Sequence, residues 1–89
     1  MIAKQVIVNG KVQGVYFRAS TREQAVKLGI TGWVKNLISG EVEIHLEGRQ
    51  DAIDQLIRWA NVGPPHAYVQ KVTIYETTIK GFDSFTINR

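Results

Sequence analysis

The chain has 89 residues, of which 44% are hydrophobic and 21% charged, and its formal net charge is +3. This length suits one small globular domain, so we interpret residues 1–89 as a single domain. The charge excess is too small to indicate nucleic acid or a membrane as a partner. The absence of cysteine excludes disulfides, thiolate metal sites and cysteine nucleophiles. With neither a secretory signal nor an apolar run of about 20 residues, we expect a cytoplasmic protein.

The first third of the chain predicts a strand, a loop and a helix. Residues 3–9 carry an apolar run typical of a strand, and the loop begins at Gly10. From Phe17 onward, apolar residues recur at helical spacing. Gly29 follows them and is expected to end the helix, as glycine commonly does.

Two features compete to set the start of this first helix. Ser20 with Glu23 three residues later resembles a capping box, which favours a later start. A start near Phe17 instead brings Arg18 to the positive end of the helix dipole. We prefer the earlier start if the preceding loop binds an anion.

The middle of the chain predicts two strands joined by a short turn. Residues 30–37 form the second strand of the chain, and Ser39-Gly40 makes the turn to the third. Residues 41–47 then alternate between apolar and polar side chains, which is typical of a strand with one buried face and one face in water. No second ligand is spaced to bind zinc together with His45 of this strand, so we expect His45 to be a surface residue. The expected inward residues are Val42, Ile44 and Leu46, and the expected outward ones are Glu41, Glu43, His45 and Glu47.

The remainder of the chain predicts a helix and two strands. Residues 50–60 place their apolar side chains in one helical stripe, and residues 61–65 contain a glycine and two prolines that end the helix. A strand at residues 69–77 follows. A short final strand is predicted around residues 85–87.

The predicted order is β-α-β-β-α-β followed by a short terminal strand. Because crossover connections are right-handed, this order gives an antiparallel sheet with both helices on one face. We therefore predict the α+β class and the ferredoxin-like α/β plait.

The loop between the first strand and the first helix has the features of an anion site. Gly10 and Gly14 bracket it, and glycine lets the backbone turn so that several N–H groups point inward. The helix N-terminus adds positive partial charge, and Arg18 has a planar fork that can grip two phosphate oxygens. On this motif alone, an ordinary turn beside a solvated arginine is an equally good interpretation.

A second candidate lies at the end of the second strand, in the run from Gly32 to Asn36. Asn36 carries both a donor and an acceptor, which is what orienting a water molecule requires. It could instead be a turn residue before Ser39-Gly40, and its proximity to the loop is an assumption. Trp33 and Tyr16 could contact the organic part of a substrate or serve only in packing.

Both stretches resemble the signatures of the acylphosphatase family. The first runs from Val8 to Arg18; the second runs from Gly32 to Asn36 and continues through Gly40-Glu41-Val42 to Gly48. The resemblance implies hydrolysis of acyl phosphates, which are mixed anhydrides of a carboxylic acid and phosphate. It implies a metal-free, cofactor-free reaction without a phosphoenzyme.

The resemblance also implies which residues act. Arg18 and Asn36 would be catalytic, with Asn36 positioning the attacking water. Backbone N–H groups and the Arg18 side chain would hold the phosphoryl group. The implied phosphate-binding residues are Gln13, Gly14, Val15, Tyr16, Phe17 and Arg18.

Elementary chemistry agrees with this implication. A carboxylate leaving group has a conjugate-acid pKa of about 4, so it departs without a general acid. The transferred phosphoryl group is largely metaphosphate-like, which leaves the protein to position groups and stabilise charge. We expect a monomer that takes a small acyl phosphate and is inhibited by its product, inorganic phosphate.

Two other functions share the predicted fold. A nucleic-acid-binding module would stack bases on exposed aromatic side chains of the sheet, but the third strand offers Glu43, His45 and Glu47 there, which argues against it. An accessory domain acting on carbamoyl phosphate within a larger maturation enzyme would keep the same loop. Fold alone does not separate these functions.

Overall fold

The computed structural model describes residues 1–88 and contains five strands and two helices. All the predicted elements are present. The first helix begins at Phe17, so the earlier predicted start is confirmed and the capping-box alternative is wrong. The elements are β1 (Ile2–Lys11), α1 (Phe17–Leu28), β2 (Thr31–Asn36), β3 (Val42–Gly48), α2 (Gln50–Ala60), β4 (Tyr68–Glu76) and β5 (Phe85–Ile87).

The strands form one sheet in the order β4-β1-β3-β2-β5. The first four are antiparallel neighbours, as predicted, and β5 adds to β2 in parallel. The sheet is therefore mixed, and the ferredoxin-like α+β fold is confirmed. Because β1 and β2 each run antiparallel to β3, they are parallel to each other. Their C-terminal ends consequently lie at the same edge of the sheet.

The core lies between the sheet and the two helices. Val6 and Ile44 from the central strands are fully buried there, together with Ile53 and Leu56 from the apolar stripe of α2. Phe17 opens α1 and packs on Trp59 of α2, with ring centroids 5.4 Å apart. This contact fixes the junction between the preceding loop and α1.

Gly63 allows a second close approach to this junction. Its φ is +74°, and a Cβ atom at this position would lie 2.9 Å from the Phe17 ring. Only glycine combines that backbone conformation with that contact. The loop after α2 therefore closes over Phe17 because residue 63 has no side chain.

The outer face of β3 differs from the prediction. His45 and Glu47 were expected in water, yet they are 2% and 1% exposed. Residues 80–82 cover them: Glu47 accepts the backbone N–H groups of Lys80 at 2.5 Å, Gly81 at 3.1 Å and Phe82 at 3.4 Å. An ionised carboxylate only accepts, so His45 Nε2, 2.7 Å away, donates to it as well. The predicted exposure was wrong because a distant segment covers this face.

Glu47 is expected to stabilise the fold in a pH-dependent way. Burial tends to raise the pKa of Glu47, but the hydrogen bonds from His45 and from three backbone N–H groups outweigh it and lower the pKa below its ordinary value. A lowered folded-state pKa means that the carboxylate stabilises the fold at neutral pH. That stability is lost as the pH falls through the folded-state pKa.

Glu47→Gln should therefore lower the free energy of unfolding by about 1–3 kcal/mol at pH 7. The difference from the wild type should narrow as the pH falls through the lowered folded-state pKa of Glu47, where the wild-type carboxyl also takes up a proton. Urea unfolding at several pH values measures both effects. Glu43→Gln is the matched control on the same strand: Glu43 pairs with Lys35 at 3.6 Å near the surface and should cost less than about 1 kcal/mol. Equal losses in the two variants would contradict the importance of the buried carboxylate.

Candidate active site

A cleft of about 840 Å³ opens at the edge of the sheet where β1 and β2 end. It brings Arg18 from the first motif together with Asn36 from the second, and the proximity assumed from the sequence is therefore observed. The residues that line it are Val12, Gly14, Tyr16, Phe17, Arg18, Ala19, Asn36 and Ile87.

The loop that enters α1 leaves several backbone donors open. Gly14 and Tyr16 have φ values of +75° and +63°, and such residues let successive N–H groups point to one side. Tyr16 is the N-cap residue but makes no side-chain cap, and the first turn carries no acidic residue. The first helical bond runs from the N–H of Ser20 to the carbonyl of Tyr16, so the N–H groups of Phe17 to Ala19 have no partner within the helix. The helix dipole makes this end positive.

Arg18 adds a full positive charge to this end of the helix. Its side chain is half-buried, and it makes no ion pair with any acidic residue among residues 1–88. Arg22, one turn later, differs because its Nε donates to the carbonyl of Phe85 at 3.2 Å. The guanidinium of Arg18 is therefore available to the oxygens of a ligand, whereas that of Arg22 serves the fold.

Asn36 is the last residue of β2 and faces the helices. Side chains alternate along a strand, so Asn36 shares the side of the buried Val34. Its Oδ1 atom is buried and has no hydrogen-bond partner within residues 1–88. An unsatisfied buried acceptor costs about 1–3 kcal/mol, and this one belongs to a residue that lines the cleft.

Gln13 holds the loop against the turn between β2 and β3. Its Nε2 donates to the carbonyl of Leu37 at 2.8 Å and to that of Glu41 at 2.9 Å. Both amide protons are thereby engaged, so the side chain does not reach the cleft. The side chain of Val15 is buried in the core. Of the predicted phosphate-binding residues, these two can contribute only through their backbone.

The apolar wall of the cleft was not predicted. Val12, Ala19 and Ile87 all line it. Ile87 lies at the cleft because β5 pairs in parallel with β2 and places Ile87 opposite Val34. No signal in the two motifs indicates this pairing, since β5 is a short strand far along the chain. Trp33 lies outside the lining, stacked on His45 with ring centroids 5.9 Å apart.

Outside the cleft, the histidine and carboxylate side chains of residues 1–88 do not form a metal-binding centre. His66 is exposed in the loop before β4. Across residues 1–88, no three His, Asp or Glu side chains come close enough together to hold a metal ion. Within the same range, neither helix has the length and apolar composition needed to cross a bilayer.

The fold and the cleft together define a small α+β protein with a cleft at one edge of its sheet, lined by the arginine and the open N–H groups at the start of α1. The sequence profile of the acylphosphatase family matches residues 4–87. An acylphosphatase of Rubrobacter xylanophilus is 52% identical over 86% of this chain and 70% of its own length. The crystal structure of acylphosphatase from Bacillus subtilis superposes with a TM-score of 0.97 at 34% identity, covering 100% of both chains. The chain belongs to the acylphosphatase family, and it is a hydrolase of acyl phosphates.

The same fold also occurs inside a longer protein. T. kodakarensis HypF contains a region with a TM-score of 0.85 and 36% identity that covers 100% of this chain and 12% of that one. The family assignment favours the acyl phosphate hydrolase among the three predicted functions. The sequence argument against base stacking needs correction, because His45 and Glu47 are buried under residues 80–82.

Proposed function

We propose that Arg18 and the backbone N–H groups of residues 13–18 hold the phosphoryl group, while Asn36 orients the water that attacks it. The observation that carries this proposal is the unpartnered, buried Oδ1 of Asn36 in a cleft that Arg18 also lines. An amide oxygen accepts a hydrogen bond from water, which leaves a lone pair on the water oxygen free to attack phosphorus.

The reaction forms one bond and breaks one bond at phosphorus. The water oxygen attacks, and the bond from phosphorus to the bridging oxygen breaks, with its electron pair leaving on the carboxylate. A carboxylic acid has a pKa of about 4, so this group leaves without a proton. Charge spreads over the three non-bridging oxygens in the transition state, where the loop N–H groups and the Arg18 guanidinium stabilise it.

The proton of the attacking water goes to an oxygen of the phosphoryl group itself. Among the described residues that line the cleft, none is His, Asp, Glu or Lys. The guanidinium of Arg18 offers donors and no acceptor, so it cannot take this proton. The product is inorganic phosphate, with the carboxylate as the second product.

The two sequence motifs of the chain meet in this cleft, with Arg18 from the first and Asn36 from the second. On this basis we infer that the protein acts as a monomer. The substrate class that we infer is small carboxyl phosphates, and the compartment that we infer is the cytoplasm.

Inorganic phosphate should inhibit competitively, because it fits the same cradle as the transferred group. Hydrolysis of benzoyl phosphate, followed by ultraviolet absorbance, should show a raised KM and an unchanged kcat as phosphate is added. EDTA should leave the rate unaltered. A lowered kcat with constant KM would place phosphate at another site, and a rate sensitive to the chelator would contradict the metal-free reaction.

A further inference from the structure

Tyr16 has a backbone conformation that its residue type disfavours. Its φ and ψ are 63° and 25°, and within residues 1–88 it is the single non-glycine residue with positive φ. In this region the Cβ atom of an L-residue crowds its own backbone, so bulky side chains are rare there. Gly14 uses glycine for the same region, although a Cβ atom there would meet nothing within 4 Å. The loop therefore carries its large side chain at a conformationally unfavourable position.

Packing does not account for this tyrosine. Its side chain is 80% exposed, and it makes no hydrogen bond as the N-cap of α1. A ring that stays in solvent buries little apolar area, so it does not offset the backbone strain in the free protein. Strain of this kind is retained where function uses it.

The location of Tyr16 indicates that use. Tyr16 is one of the residues that line the cleft, as is Ile87, which is 40% exposed and belongs to β5. The cleft volume of about 840 Å³ lies within the range of about 300–1,000 Å³ found for pockets that hold whole organic ligands. It therefore has room for an acyl group beside the phosphoryl group.

We propose that Tyr16 is a specificity-determining residue that contacts the acyl group and favours aromatic or extended apolar acyl phosphates over short ones. This inference rests on the proposed function, because it places the phosphoryl group at Arg18 and the loop N–H groups. The acyl group then extends toward Tyr16 and Ile87, which both line the cleft. Contact between an aromatic acyl group and the ring removes apolar surface of both from water, and offset or edge-to-face ring geometry adds to the attraction.

The test compares kcat/KM for benzoyl phosphate and acetyl phosphate in the wild type, Tyr16→Gly and Tyr16→Phe. The benzoyl-to-acetyl ratio should fall about tenfold in Tyr16→Gly and change by less than about twofold in Tyr16→Phe. Using the ratio removes any effect of altered loop flexibility on phosphate binding, since both substrates share the phosphoryl group. Tyr16→Gly should also raise the Tm by about 2–8 °C, because glycine adopts this conformation without strain.

Tyr75→Ala is the matched control. Tyr75 is also exposed, at 54%, but lies on β4 at the far edge of the sheet, so its loss should leave the ratio unchanged. An unchanged ratio in Tyr16→Gly, or an equal fall in Tyr16→Phe, would overturn the assignment of the ring while leaving the proposed hydrolysis intact. A wild-type protein that cleaves neither substrate would overturn the proposed function and this inference with it.

Discussion

Arg18→Ala is expected to lower kcat for benzoyl phosphate by about 10³-fold or more, to the limit of detection, while the fold survives. The guanidinium is half-buried at the cleft and unpaired among residues 1–88, so its removal takes away the principal positive charge facing the transferred group. Phosphate inhibition should weaken in parallel. Steady-state kinetics and far-ultraviolet circular dichroism separate loss of activity from loss of structure.

Two further variants show whether charge or geometry matters at this position. Arg18→Lys keeps the charge but loses the planar fork, and we expect it to be nearly as damaging as the alanine variant. Arg58→Ala removes an exposed arginine in the last turn of α2 and should leave kcat unchanged. A lysine variant with wild-type kcat would show that a point charge suffices, and an active Arg18→Ala would remove Arg18 from the reaction altogether.

Asn36→Ala should lower kcat by about 10²-fold or more, the scale observed when one positioned catalytic group is lost. KM should change little, because the role proposed for Asn36 is to orient water, while Arg18 and the loop N–H groups are the groups proposed to hold the phosphoryl group. The fold should not be destabilised by loss of its side-chain hydrogen bonds, since Oδ1 of Asn36 has no partner among residues 1–88 to lose. Kinetics and urea unfolding on the same preparation measure both quantities.

Asn61→Ala provides the opposite pattern. Asn61 Nδ2 donates to the carbonyl of Ile57 at 2.8 Å at the end of α2, away from the cleft. This variant should lose about 0.5–1.5 kcal/mol of stability and retain its activity. If Asn36→Ala instead hydrolyses benzoyl phosphate at the wild-type rate, the water is oriented by another group.

The sequence was sufficient to predict the parts of the site that depend on local chemistry. Glycines that turn a loop before a helix, and an arginine at the helix start, are compatible with an anion site, but residue types alone leave an ordinary turn equally possible without the match to the second motif. The proximity of Arg18 and Asn36 was an assumption at the level of the sequence. In the structure, β1 and β2 each pair antiparallel with β3, so their C-terminal ends share one edge of the sheet and both residues line the cleft there.

What could not be predicted depends on contacts between distant segments. The alternation in β3 correctly separates its two faces, but it carries no information about residues 80–82, which cover His45 and Glu47. Ile87 reaches the cleft only through the register of β5 against β2. Neither the covering segment nor this register has a local sequence pattern that indicates its partner.

The two hydrogen bonds of the Gln13 side chain order the loop before α1 when the protein folds. By joining the loop to carbonyls on both sides of the β2–β3 turn, one side chain fixes the phosphate cradle relative to the strand that ends at Asn36. The entropy of ordering the loop is therefore lost during folding, and the substrate does not have to supply it on binding. Such preorganisation lowers the entropic cost of binding a small anion at the proposed site.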